Sequence, residues 1–309
     1  MQSTNSILMI RPVSFRMNEQ TAVNNYFQED IDLKNATINL RAQEEFDAMV
    51  SLLRENGVTV IVVDDTLQPD TPDAIFPNNW ISFHEDGTVG LYPMFAENRR
   101  KERRDDIFDI LEQKGFRIDT VVDYTSAEVE GIFLEATGSI VFDRIDRKAY
   151  CALSDRAHED LFIEFCEDFE YFPVIFTANQ SVGGKRMPIY HTNVMMCVAD
   201  DFSIICLDAI DDKKERRNVI DHLKKSGKEI LSISEAQMHH FAGNMLQVLG
   251  FGDKKYMVMS SAAYQSLTKQ QVEHIQSYCG IIHSSLKTIE TCGGGSARCM
   301  MAEIFLPKA

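Results

Sequence analysis

The chain has 309 residues, 44% of them apolar, so a sizeable core is available to one large domain or two modest ones. Its formal net charge of -16 repels nucleic-acid backbones and anionic membrane surfaces, which leaves a small molecule as the default partner. The seven cysteines are odd in number and show no zinc-type spacing, which points to reduced thiols in the cytoplasm; no basic region with a long apolar run opens the chain, and no apolar stretch approaches the roughly 18 residues of a spanning helix, so neither export nor membrane insertion is expected.

One order of elements repeats: strand, helix, strand, polar turn, apolar strand. It begins with an apolar strand over Ile7 to Ile10, helical spacing through FDAMVSLLRENG stopped by Gly57, the strand VTVIVVDD, the turn PNN and the strand WISF. A second pass runs from TVGLYPMF through a helix over RRKERRDDIFDILEQKG, ended by Gly115, to FRIDTVVDY, LEATG and SIVFD. The third takes AYCALS, DRAHEDLFIEFCEDF and FPVIFTA to a polar turn around His191 and VMMCVAD. The fourth runs FSIICLDA, KKERRNVIDHLKKSGK, EILSIS, FAGN and MLQVLGF; the fifth runs YMVMSS, TKQQVEHIQSYC, IIHSSL, GGGSARC and MMAEIFL.

Asn79, Glu135, His191, Asn244 and Cys299 mark the five polar turns, at intervals of 56, 56, 53 and 55 residues. Each pass delivers one polar residue to the start of an apolar strand, so a ring of five brings the markers to its axis, as propellers do. The expected fold is therefore α/β, a five-bladed α/β propeller of pseudo-fivefold strand–helix–strand modules around a central pocket. No linker or low-complexity tract divides the chain, and residues 1–309 read as one domain.

The chemistry-bearing residues sit at these turns. Cys299 closes CGGGSARC, where three glycines permit close backbone approach and free N–H groups, so it is the candidate thiolate; Cys292, which opens the same run, is the competitor, and a buried inert thiol is the bland alternative. His191 in PIYHTNVMMCV suits a general acid and base near neutrality, although a lone histidine beside an apolar strand is often structural. Glu135 in FLEATGSIVFD lies among apolar residues and must be paired, either with a functional partner or with a nearby base such as Arg144. Asp73, Asn78 and Asn79 fall in PDAIFPNNW, where turn chemistry alone accounts for Asp and Asn. Arg99 and Arg100 can clamp a substrate carboxylate, or simply begin a solvated helix.

Taken together, these residues resemble the amidinotransferase superfamily of guanidino-group-modifying enzymes, the pentein fold. FPNNWISF, LEATGSIVFDR, HTNVMMCVAD and GGGSARCMMAEIF look most like the citrulline-utilisation hydrolases, a branch close to arginine deiminase. The resemblance implies Cys299 as nucleophile, His191 as acid/base, Glu135 as supporting carboxylate, and Asp73 as a substrate contact. Where arginine-processing members typically carry His-x-Asp and an acidic first turn, this chain has Asn193 and the Asn78-Asn79 pair. Amides both donate and accept, which matches a neutral ureido group better than a guanidinium. Asn193, Asn244 and Arg99 join the expected substrate-binding set.

The expected reaction is hydrolysis of citrulline to ornithine, ammonia and carbon dioxide through a covalent Cys299 intermediate, with no metal and no organic cofactor. The alternatives are an arginine deiminase-type hydrolase, an amidinotransferase that uses an amine in place of water, and a non-catalytic binding propeller, since the ribosome anti-association initiation factor resembles this architecture. The amino-acid substrate is the expected partner, and a homo-oligomer stays open.

Overall fold

The computed structural model describes residues 1–309. The chain adopts an α/β fold of five three-stranded sheets and one two-stranded ribbon, none closed into a barrel. No helix is long and apolar enough to cross a membrane.

All five sheets share one plan. A short strand that follows a polar turn pairs antiparallel with the next strand, and that strand pairs parallel with the strand after the helix. The first such sheet is Ile81–Phe83, Thr88–Leu91 and Thr120–Asp123; the second is Ile140–Asp143, Lys148–Leu153 and Phe172–Thr177. Met196–Val198, Phe202–Ile205 and Glu229–Ser232 form the third, and Leu246–Leu249, Lys255–Ser260 and Gly280–Ser284 the fourth. In the fifth, the C-terminal strand Ala302–Glu303 pairs antiparallel with Ser6–Arg11, which runs parallel to Thr59–Asp64. Each sheet is thus displaced by one strand from the repeat read in the sequence: the strand after each polar turn belongs with the following pass. Hydrophobic periodicity identifies strands but carries no information about which neighbours they pair with.

The first long helix, Asn35–Glu55, starts earlier than its apolar core, FDAMVSLL, suggests. Its buried residues Ile38, Ala42, Phe46, Met49, Val50 and Leu53 recur at helical spacing, and each large one contributes roughly 1.5–3 kcal/mol of apolar burial. Gly57 stops it in the left-handed region at φ 90°, where an added Cβ would lie 2.3 Å from the Phe251 nitrogen.

The single helix expected over residues 99–115 is in fact two pieces, a 3-10 turn at Arg99–Glu102 and an α-helix at Asp106–Gln113. Arg103 is extended between them (φ -65°, ψ 123°). The Arg99 guanidinium turns inward onto Glu102 rather than lying on a solvated helix face. A ribbon of Asn179–Val182 and Lys185–Pro188 precedes the His191 turn and was not apparent from periodicity.

Candidate active site

Four of the five polar turns are short helical turns, and the fifth lies just before its strand. Pro77–Asn79 and Ala297–Met300 are 3-10 turns, while Glu135 and His191 occupy the N-cap positions of Ala136–Ser139 and Thr192–Met195. Asn244 lies two residues before Leu246, where Leu246–Leu249 begins. All five marker side chains are buried.

Glu135 and His191 form one unit. His191 Nε2 lies 2.7 Å from Glu135 Oε2, and the other carboxylate oxygen accepts from the Phe95 N–H at 3.0 Å. Arg156 and Arg99 reach the same carboxylate at 3.6 and 4.0 Å. Burial opposes ionisation of Glu135, but Arg156, the His191 hydrogen bond and Arg99 outweigh it and hold the carboxyl at about 2. Burial lowers His191 to about 4; Glu135 pulls the other way, while Arg156 and Arg99 add to the lowering. At neutral pH the pair is therefore a carboxylate accepting from a neutral imidazole, so Nε2 carries the proton and Nδ1 is a free base. Gly138 makes room for that edge, because a Cβ there would lie 2.8 Å from Nδ1.

The thiol sits among amides. Asn244 Nδ2 is 3.2 Å from Cys299 Sγ, and Asn193 Nδ2 and Oδ1 are 3.7 and 3.8 Å away. The amide orientations follow from their partners: Asn244 Oδ1 accepts from the Arg298 N–H and Asn193 Nδ2 donates to the Thr137 carbonyl. Burial pushes the Cys299 thiol up, opposed by the Ser296 backbone, Asn244, Arg298 and Asn193. Of the rival thiols, Cys292 is also buried, and all seven cysteines are unpaired.

Cys299 and His191 line one cavity together with Asp73, Asn79, Arg99 and Arg156, and Thr21 and Asn25 line it too. About 10 Å³ is open, room for roughly one water. An amino acid of arginine's size needs more room than this.

Asp73 Oδ2 accepts from Asn18 and Thr21, and Oδ1 has no partner. Asn79 Oδ1 accepts from Arg99 at 2.9 Å, and its Nδ2 has no partner. Asn78 turns toward Thr137 and does not line the cavity.

Arg99 is not a free carboxylate clamp, contrary to the sequence reading. Its Nε and Nη2 lie 2.9 Å from the two Glu102 oxygens, and Asn79 and the Phe76 carbonyl take further donors. Arg100 points elsewhere, onto the Met94 carbonyl. The base beside Glu135 is Arg156, not Arg144. No group of three or more His, Cys, Asp or Glu side chains is arranged to hold a metal ion.

Sequence reasoning missed Arg156, Glu102, Tyr190, Thr21 and Asn25. Tyr190 donates to the Gly294 carbonyl at 2.5 Å, and Asn25 donates to the Gly293 carbonyl at 3.3 Å, so both brace the glycine run. One signal was available: residues 12–34 hold no helix or strand, and so long an irregular connection inside a compact fold is usually functional.

A buried thiol, a carboxylate–imidazole pair and a polar cavity stand on these strand-start turns, and the comparisons give the class, the pentein or amidinotransferase superfamily of guanidino-modifying hydrolases, which act on C–N bonds. The family model for N,N dimethylarginine dimethylhydrolase, eukaryotic, matches residues 11–306, and the chain belongs to that family.

Solved structures agree on the fold. An apo arginine dihydrolase from the ornithine-ammonia cycle in cyanobacteria superposes with a TM-score of 0.74 at 17% identity, covering 98% of this chain and 41% of that one. The chain thus spans about two fifths of the full-length enzyme. The N-terminal domain of that enzyme bound to substrate gives a TM-score of 0.70 at 18% identity, covering 97% of this chain and 99% of that one. A dimethylarginine dimethylaminohydrolase adduct with S-methyl-L-thiocitrulline gives a TM-score of 0.63 at 12% identity, covering 98% and 100%. No curated protein sequence matches.

Proposed function

We propose that the chain is a cytoplasmic cysteine hydrolase that converts citrulline to ornithine, ammonia and carbon dioxide. In this reading residues 1–309 are one domain whose five sheets stand as propeller blades around the cavity. The observation that carries the substrate is the pair of unpartnered buried atoms, Asp73 Oδ1 and Asn79 Nδ2. Arg99 can only donate, so Asn79 must turn its oxygen to Arg99 and its amide hydrogens to the cavity. The site therefore offers one acceptor and one donor. A ureido group, with its N–H donors and carbonyl acceptor, satisfies both. A guanidinium, as in arginine or N,N-dimethylarginine, satisfies Asp73 and leaves the Asn79 donor without an acceptor.

In the proposed mechanism the Cys299 thiol gives up its proton to the neutral His191 imidazole as it attacks the ureido carbon. Asn244 and Asn193 stabilise the sulfur charge, and His191, oriented by Glu135, carries a proton to the departing nitrogen. Ammonia leaves, and the ornithine moiety remains as a thiocarbamate on Cys299. Water that loses a proton to His191 then breaks the C–S bond, the thiol is restored, and the released carbamate loses carbon dioxide.

Asp73 supports a second reading. A buried carboxylate with an unpartnered oxygen is also a seat for a guanidinium, which makes an arginine or dimethylarginine hydrolase the rival. Burial pushes the Asp73 carboxyl up, against Arg99 and Asn18, and a guanidinium there would offset that desolvation.

The test is release of ammonia and dimethylamine from purified protein given citrulline, arginine, N,N-dimethylarginine or agmatine, with Cys299→Ala in parallel. Ornithine and ammonia from citrulline, lost in the variant, are expected. Citrulline accumulating from arginine or dimethylarginine overturns the ureido reading. Silence with all four, followed by turnover when an amine acceptor is added, identifies a transferase; silence throughout leaves a binding module.

A further inference from the structure

The turn that carries Cys299 hangs on a run of glycines that cannot stiffen itself. A Cβ at Gly295 would lie 2.9 Å from the Phe76 ring and 3.3 Å from Cys299 Cβ, so the run must stay free of side chains, and glycine backbone is the least restricted of all. Its order therefore comes from neighbours. Gln28 and Asn25 donate to the Cys292 and Gly293 carbonyls at 3.1 and 3.3 Å, and Tyr190 donates to that of Gly294. There these ties stop, because Gly295 makes no hydrogen bond. The next residue, Ser296, opens the turn Ala297–Met300.

Ser296 is fully buried, and its side chain does not cap that turn, as a serine in this position ordinarily does. It reaches back instead to the preceding helix, Lys287–Gly293, where its hydroxyl donates to Glu290 Oε1 at 2.6 Å. Its carbonyl accepts the Cys299 N–H at 3.0 Å, so one residue links Glu290 to the backbone of the thiol. The helix under Glu290 is itself fixed: Glu45, on Asn35–Glu55, accepts from the Thr288 and Ile289 N–H groups at 2.8 and 3.0 Å. Glu290 is buried and is met by the hydroxyls of Ser296 and Ser260, with no base within ion-pair distance; Glu45 and His240 are the charged groups that face it. Such a carboxyl serves as an acceptor rather than as a charge partner, and it offers Ser296 an acceptor oxygen whether ionised or neutral.

We propose that Glu290 is a positioning residue for Cys299: acting through Ser296, it fixes the end of the glycine run and holds the thiol against the Asn244 amide. The inference rests on Cys299 as the nucleophile and not on the identity of the substrate. Asn244 accepts from the Arg298 N–H at 3.0 Å and lies 3.2 Å from Sγ, a pair of contacts that holds only while the turn stays in place. Without the Ser296 tie the turn loses its anchor to the helix, and the sulfur moves off its donor.

The experiment compares Ser296→Ala, Glu290→Ala, their double variant and Glu290→Gln in the full chain. It reads the pH midpoint of Cys299 alkylation by iodoacetamide, followed by peptide mass, beside kcat and KM for the substrate the protein turns over. Both alanine variants are expected to move the midpoint upward and to lower kcat ~10–100-fold, with KM within about twofold of wild type. The double variant should be no worse than the worse single one, because both break one link, and Glu290→Gln, which keeps the acceptor, should stay near wild type in both readings. An unmoved midpoint in Ser296→Ala, effects that multiply in the double variant, or a Glu290→Gln variant as impaired as Glu290→Ala each overturns the proposal. Should Glu290→Ala not fold, Glu290→Met, of similar volume and without the acceptor oxygen, takes its place. A moved midpoint in a chain that turns over no ureido or guanidino compound supports the placement by Glu290 and overturns the hydrolase reading instead.

Discussion

The two faces of the active-site cavity are built on opposite electrostatic plans. The Glu135–His191 face is ionic, with an ionised carboxylate held by Arg156 and Arg99 against a neutral imidazole. The Cys299 face is neutral: the thiol rests on asparagine amides, and its turn is braced by Ser296, whose hydroxyl donates to Glu290 at 2.6 Å and whose carbonyl accepts the Cys299 N–H at 3.0 Å. The difference teaches where the reaction's charge is prepared. In the proposed mechanism the proton-handling groups are preorganised before substrate arrives, whereas the sulfur charge arises only during attack, in a place already lined with donors.

Breaking the neutral face at its centre has the largest expected effect. Cys299→Ala should lower turnover by ~10⁴-fold or more, measured as ammonia release, while Cys292→Ala leaves it near wild type. If Cys292→Ala is the inactive one, the two thiols have been assigned the wrong way round.

On the ionic face, Glu135→Gln should cut kcat by ~10²–10³-fold, because the imidazole loses the partner that sets its tautomer. It also strands Arg156, so urea melts should show about 3 kcal/mol of lost stability. A stability loss without a kcat loss would reduce Glu135 to a structural ion-pair member.

Asn244→Ala removes the donor nearest the sulfur. Turnover should fall ~10–100-fold, and the pH midpoint of Cys299 alkylation by iodoacetamide should move upward. An unmoved midpoint would mean that the amides do not stabilise the thiolate.

The faces should also fail at opposite ends of the pH scale. His191 has a folded value of about 4 against an ordinary 6.5, so its contribution is present above pH 6.5 and is lost as pH falls toward 4. Burial raises Glu290 to about 7, against Ser260 and Ser296, from an ordinary 4.5. Its contribution is therefore full below pH 4.5 and is lost as pH rises through 7. Between pH 5 and 8, wild type should lose on the order of 2 kcal/mol in urea melts that Glu290→Gln does not lose. Parallel curves for the two proteins would show that Glu290 titrates normally.

Much of this architecture was legible in the residues, and the rest was not for identifiable reasons. Regular intervals from Asn79 to Cys299 located the turns, because a strand that begins in a pocket must pass from polar to apolar within a few residues. Arg99 was legible as a site residue but not in its role: the sequence RRKERRDD reads equally as a solvated helix start, and only the inward turn onto Glu102 takes Arg99 out of the clamp role. Arg156 sits in SDRAHEDL, where nothing local marks it, and reaches Glu135 through packing.

By itself, then, the sequence determined the alternation of strands and helices and the positions of the polar turns at which Cys299, His191 and Glu135 stand, since these depend on periodicity and on local residue chemistry. Tertiary structure alone decided which strands pair, that Thr21 and Asn25 reach the cavity, and which way the Asn79 and Asn244 amides face. Those outcomes depend on partners tens to hundreds of residues away, and hydrogen-bond satisfaction in a buried site is settled only when the distant partner is in place.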